Sequence, residues 1–159
     1  MWVRKVRSAP RGARTVCVPP PVARALEKSP FVEVVPEGGR LLVKPAPPEL
    51  VEQVLREAGA RGLWRRGIYK LMRQRGGNGG WAWRLTLPAR LVKSWGRYVK
   101  IYEIYEVGGF AVEPVSEEAA RSIIEAEAAR SMLEVLRAWG ERTLEQGEET
   151  ARVKSAKRV

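Results

Sequence analysis

"RTVCVPPPVARAL", residues 14–26, stops a strand and restarts the chain as a helix within a few residues. Arg14 to Val18 reads as a short strand, with Thr and Val prominent. Pro19, Pro20 and Pro21 have no N–H to give to a sheet ladder, and their fixed φ suits the first turn of a helix. Val22, Ala25 and Leu26 recur at offsets of three and four, which predicts one short helix with a narrow apolar stripe. The stretch is therefore a corner, at which a strand leaves its sheet.

On its N-terminal side, "WVRKV" (2–6) alternates apolar and basic residues like a half-buried strand, and "SAPRGAR" (8–14) supplies a turn. On its C-terminal side, "FVEVV" (31–35), "PEGG" and "RLLVKP" (40–45) read as a hairpin closed by Pro45. The same order returns later. "GIYKLM" (67–72) predicts a strand, "RGGNGG" a Gly-rich connection, "WAWRLTLP" a strand ending in Pro88, and "ARLVKSW" one or two helical turns. "RYVKIYEIYE", "VGG" and "FAVEP" close the second copy at Pro114. A shift of 69 residues carries Pro19 onto Pro88, Val22 onto Leu91, Leu26 onto Trp95 and Pro45 onto Pro114, with Gly38–Gly39 matching Gly108–Gly109 after a one-residue slip.

Between the copies, "PPELVEQVLREAGARG" predicts a helix starting near Pro48, with Leu50, Val51, Val54 and Leu55 as its stripe and Gly59 as its end. After the second copy, Ser116 is a good N-cap, followed by Glu117 and Glu118 at the positive end of the helix dipole. Ala120, Ile124, Ala128, Met132, Leu136 and Trp139 then fall nearly on one face, and Gly140 is positioned to end the helix. The expected divisions are a first copy at 1–46, a helical linker at 47–66, a second copy at 67–115, a C-terminal helix at 116–140 and a charged, partly disordered tail at 141–159.

The net charge is +11, unevenly spread. Residues 1–115 hold 21 Lys and Arg against 9 Glu, whereas 116–150 hold 4 Arg against 9 Glu. A strongly basic segment favours a polyanionic partner, nucleic acid before an anionic membrane surface. With no His, no Asp and one Cys, the sequence offers no triad and no zinc finger, so neither metal nor cofactor is expected and the chain does not read as an enzyme. Cys17 reads as a small core residue, and one cysteine forms no internal disulfide, which fits a reducing cytoplasm. No apolar run approaches the 18 residues of a membrane span, so a soluble intracellular protein is expected.

A basic strand, a strand ending in proline, a one-turn helix and a Gly-turned hairpin ending in Lys-Pro together resemble the AbrB-like swapped-hairpin DNA-binding family (SpoVT/AbrB, MazE-type). "VRKV", "TVCVP", "VARAL" and "EGGRLLVKP" carry the likeness in the first copy; "RLTLP", "ARLVKSW" and "VGGFAVEP" carry it in the second. "EKSPF" and "GRY" depart from the family, whose Gly-Asp or Gly-Glu step before the third strand is missing. The resemblance implies a mixed, mainly β fold of two tandem swapped-hairpin β-barrel half-units (β-β-short α-β-β), closing within one chain or between two. A copy of some 45 residues buries too little apolar surface to stand alone, so pairing is expected.

The resemblance also implies that the first strands and their joining loop face double-stranded DNA. This points to Arg4, Lys5, Arg7, Arg11 and Arg14 in the first copy and Lys70, Arg73, Arg75 and Arg84 in the second, with Arg7 and Arg11 best placed for a groove. Trp64-Arg65-Arg66 offers an extra backbone contact, while Trp81 and Trp83 share a face and read as core rather than as base-stacking residues. The expected function is a cytoplasmic, nucleoid-associated transcription regulator or small chromatin-like factor, dimeric through the C-terminal helix or the barrel. The alternative is an antitoxin-like module whose acidic segment 116–150 binds a protein partner.

Overall fold

The computed structural model describes residues 1–8, 13–26, 29–75 and 80–157, and the chain divides into two compact units, Met1–Ala120 and Arg121–Val159. The elements are β1 (Trp2–Lys5), β2 (Arg7–Ser8), β3 (Arg14–Val18), α1 (Pro20–Ala25), β4 (Phe31–Glu37), β5 (Arg40–Pro45), α2 (Pro48–Arg65), β6 (Ile68–Lys70), β7 (Met72–Arg75), β8 (Trp81–Leu87), β9 (Tyr98–Ile104), β10 (Gly109–Val115) and α3 (Glu117–Lys157). The fold is mixed, mainly strands in two antiparallel sheets with a long C-terminal helix. One sheet runs β1-β9-β10-β5-β4-β6, the other β2-β3-β8-β7. Among the described residues these sheets stay separate, so the closed barrel expected from the sequence is not found.

The proline corner forms as the sequence dictates. Pro19 ends β3, and its carbonyl accepts hydrogen bonds from the N–H groups of Val22 and Ala23 while Leu26 N–H reaches Ala23. Pro88 ends β8, and its carbonyl accepts from Leu91 and Val92 while Trp95 reaches Val92. All three bonds recur at a spacing of 69 residues. The buried side of α1 is formed by Val22 and Ala23, with Leu26 just past its end.

Strand register reproduces the same spacing. β3 and β8 are antiparallel, and at the middle of the pair Val16 faces Leu85, its own counterpart 69 positions on. β5 and β10 pair about Leu42 and Ala111, again 69 apart. A residue facing its own counterpart marks a two-fold axis, so the two copies are related by a pseudo-dyad through these two pairs. The other strands follow different offsets, because the connections differ in length. Lys5 lies opposite Tyr98 and Lys70 opposite Phe31, which equates Lys5 with Lys70 at 65 and Phe31 with Tyr98 at 67.

These pairings interlock the copies. The first strand of each copy lies against the hairpin of the other, β1 on β9 and β6 on β4. Val6 N–H donates to the Arg97 carbonyl at 2.7 Å, and its counterpart Leu71 donates to Pro30, also at 2.7 Å. At Val6 and Leu71 the chain passes from one sheet to the other, so each expected single strand is split in two (β1 and β2, β6 and β7). One core lies between the sheets, with Val16, Val32, Val43, Leu85, Val99, Ile101, Phe110 and Val112 wholly buried.

Three details correct the sequence reading. Gly38 and Gly39 both take positive φ in the two-residue β4–β5 turn, as such turns require. Gly108 also has positive φ, but Gly109 lies in β10, where a Cβ would collide with the carbonyl of Val43; the two glycine pairs are therefore not equivalent. Gly59 interrupts α2 with φ 65° and ψ −163°, yet helix resumes beyond it; Val51, Val54 and Leu63 face a second small core with Ile68, whereas Leu55 is exposed. Gly140 does not end α3, which continues to Lys157. Within the second unit Met132, Leu133, Val135, Leu136, Trp139 and Leu144 are exposed. Among the described residues no helix is long and apolar enough to cross a membrane.

A polar chain ties the two hairpins together over the dyad. Arg40 in β5 donates to the Tyr102 hydroxyl at 2.8 Å, Tyr102 donates to Glu113 at 2.8 Å, and Lys100 meets the same carboxylate at 3.0 Å. The bonds from Lys100 and Tyr102 hold the Glu113 carboxyl below the ordinary glutamate range. A depressed native value stabilises the fold above the unfolded value, about 4.3, and that stability is lost as pH falls through the native one. The denaturation midpoint is therefore expected to fall on acidification from neutral to about pH 3, and Glu113→Gln to remove part of that dependence, as measured by urea unfolding at both pH values.

Candidate nucleic-acid interface

The nine basic residues singled out from the sequence do not share one surface. Antiparallel partners directly opposite one another project on the same face of a sheet. Arg7 lies opposite Thr15, and Thr15 opposite Thr86. Arg84 lies opposite both Cys17 and Met72. Arg7 and Arg84 therefore belong to one face. Arg14, opposite Ser8 and Leu87, belongs to the other, with Arg73 opposite Trp83 and Arg75 opposite Trp81.

Their freedom differs as well. Lys5, Arg7, Lys70, Arg73 and Arg75 are exposed, and Lys5 and Lys70 occupy equivalent positions in the two copies. Arg11 lies outside the described residues. Arg4 is half-buried, and its Nη1 donates to the neighbouring Val3 carbonyl at 3.0 Å. Arg84 is half-buried too, donating to Thr15 Oγ1 at 3.3 Å, while its Nε is enclosed without a partner. Arg14 is turned inward: its Nη1 donates to the carbonyls of Val92 and Trp95, at 2.9 and 3.2 Å. A cation is favoured there, because carbonyl groups at the end of a helical turn carry a partial negative charge and keep a lone pair free even where, as at Val92, one already accepts from Trp95 N–H. Arg14 thus clamps the second proline corner onto the first copy.

The opposite end of that sheet carries an aromatic and basic ladder. The Arg73 guanidinium lies 4.6 Å from the Trp81 ring centre and 6.0 Å from that of Trp83, and Arg75 lies 6.0 Å from Trp81. These are cation–π distances. Trp83 is half-buried and packs on the main core, as expected. Trp81 is 59% exposed, contrary to its reading as a core residue. Its place at the loop end of β8 carries it past the edge of the core, and sequence alternation alone does not show where a core stops.

A cleft lies at each proline corner. The first, of about 350 Å³, brings Arg4, Arg24 and Arg73 together with Trp81 and Trp83 over Pro19. Cys17, expected in the core, is half-exposed and lines this cleft. The second, of about 550 Å³, brings Arg61, Arg65 and Arg90 together with Trp64 and Tyr69 over Pro88. Pro19 and Pro88 are counterparts at 69, and Arg4 and Tyr69 at 65. Burial pushes the Tyr69 hydroxyl up, against the opposing pull of Arg90's charge. No carboxylate stands among the described residues lining either cleft. Arg24, Arg61 and Arg90 were not candidates from the sequence, where isolated arginines on short helices and linkers look like solvated surface.

Arg14 and Arg7 separate structure from surface. Arg14→Ala leaves two carbonyls without their cation and is expected to cost about 1.5–3 kcal/mol, whereas exposed Arg7→Ala costs less than about 0.5 kcal/mol. Equilibrium denaturation of the two variants beside the parent measures the difference.

No protein-family model matches this chain, and no curated protein or solved structure matches it either.

Proposed function

We propose that this chain is a DNA-binding protein of the swapped-hairpin kind, a transcription regulator or small chromatin-like factor that contacts duplex DNA through its first strands. The observation that carries this reading is the pseudo-dyad through Val16 and Leu85. It puts the basic strand of one copy, with Arg7, and that of the other, with Arg73 and Arg75, at the two edges of one four-stranded sheet. Duplex DNA presents two phosphate backbones, and each of the two edge strands related by the backbone dyad offers exposed arginines to them, Arg7 from one face of the sheet and Arg73 and Arg75 from the other. The exchange of first strands between copies supports the swapped-hairpin assignment, and the surplus of 21 Lys and Arg over 9 Glu in residues 1–115 supports a polyanionic partner. Lys5 and Lys70 widen the surface, Arg4, Arg11 and Arg84 are its remaining members, and Arg14 acts through the corner it clamps. The protein works in the cytoplasm, associated with the nucleoid.

A second reading concerns the C-terminal helix. Met132, Val135, Leu136 and Trp139 form an exposed apolar face on an acidic segment. Such a face supports self-association or, as in an antitoxin, capture of a basic protein partner; a scattering mass of one chain or of two separates these outcomes.

Duplex binding is tested by fluorescence anisotropy at rising salt. Affinity is expected to fall linearly on a log–log scale, with a slope of about −0.9 per phosphate neutralised. Changing Arg73 and Arg75 together to Ala is expected to make the slope shallower by about two. Affinity that stays flat with salt overturns the reading.

A further inference from the structure

The two corner clefts have a chemistry that duplex binding leaves unused. Each gathers three guanidinium groups, one exposed indole and a proline floor, from residues far apart in the sequence. In the second cleft Arg61 and Arg65 are four residues apart on α2, so their like charges repel on one helix face, and Arg90 adds a third. In the first, Arg4, Arg24 and Arg73 come from β1, α1 and β7. Concentrating positive charge without a lining carboxylate is unfavourable until an anion enters. Guanidinium groups match phosphate oxygens in pairs, more closely than an ammonium does.

A bare phosphate would leave the remaining walls idle. Trp81 is 59% exposed and Trp64 55% exposed, each beside its arginines, and Pro19, Pro20 and Ala23 or Pro88 and Ala89 make the rest apolar. A flat ring joined to a phosphate uses every part. Volumes of about 350 and 550 Å³ lie in the range of small-ligand sites.

We propose that the two clefts are nucleotide subsites, each seating one unstacked base against its indole, Trp81 or Trp64, and the attached phosphate among its arginines. In the first cleft Arg73 now lies over the Trp81 ring. An entering base takes that place, and the guanidinium follows the phosphate. Bases within a duplex are stacked on one another and do not present their faces, so the ligand is a free nucleotide or a nucleotide of a single strand. The inference does not rest on duplex recognition, with which it shares Arg4 and Arg73.

The test titrates the full chain with inorganic phosphate, thymidine monophosphate and a short oligothymidylate, followed by calorimetry and tryptophan emission. The mononucleotide is expected to bind at least about tenfold tighter than phosphate and to quench emission. Trp81→Ala with Trp64→Ala is expected to remove that advantage, whereas Phe at both positions retains most of it. Circular dichroism confirms that the variants fold, and the Phe pair supplies a folded comparison. An oligonucleotide that outbinds the monomer identifies a strand as the source; equal affinity identifies the free nucleotide. Phosphate and mononucleotide binding alike, or an Ala pair that binds the mononucleotide like the parent, overturns the proposal. The same variants are titrated with a duplex, whose affinity is expected to stay within about twofold. Equal losses for duplex and mononucleotide assign the tryptophans to the duplex surface and also overturn it, while failure of duplex binding alone leaves the clefts standing.

Discussion

Everything in the body of this protein depends on the first strand of each copy lying against the hairpin of the other. β1 pairs with β9 and β6 with β4, and the Val6–Arg97 and Leu71–Pro30 hydrogen bonds lock each crossing. A half-unit of some 45 residues has too much surface for its volume to hold a core of its own. Once exchanged, the halves bury a single core whose members alternate between them: Val16 with Leu85, Val43 with Phe110, Val32 and Val99 at matching depths. The proline corners serve this exchange, since each must release its strand from one sheet and return the chain to the other.

The positions of the corners were legible in the sequence because proline and glycine act locally. Their spacing of 69 residues survives as three matched backbone hydrogen bonds and as the register of β3 on β8 and β5 on β10. The offsets of 65 and 67 were not legible. They follow from longer β7 and β8 strands, a shorter second corner and a longer second hairpin turn, and only pairing with a partner strand reveals them. For the same reason sequence pattern alone puts Gly109 in a turn, although it lies in β10 where a Cβ would collide with the β5 backbone at Val43. Gly140 was mistaken for a stop because helix propensity makes glycine unfavourable rather than forbidden.

The candidate surface divides in the same way. That positive charge belongs to the first two thirds of the chain was plain from composition. Which arginines face outward depended on register. Arg14 and Arg7 stand on the same hairpin, yet one holds the Val92 and Trp95 carbonyls and the other meets solvent. Trp81 and Trp83 stand two residues apart, yet one is core and the other is an exposed ring under a guanidinium. The two copies have also diverged in chemistry while keeping their frame. Arg14 of the first corresponds to Trp83 of the second, and Thr15 to Arg84, so the pseudo-dyad of the backbone carries two different faces.

The central claim is that the two copies interlock within one polypeptide, and an engineered disulfide tests it directly. Lys5 and Tyr98 are Cα partners across β1 and β9, close enough for a disulfide when both are changed to Cys. In a Cys17→Ser background, oxidation of the Lys5→Cys/Tyr98→Cys chain is predicted to give a compact cross-linked monomer on a non-reducing gel. A covalent dimer in its place would mean that the strands are exchanged between two chains, and would contradict the account.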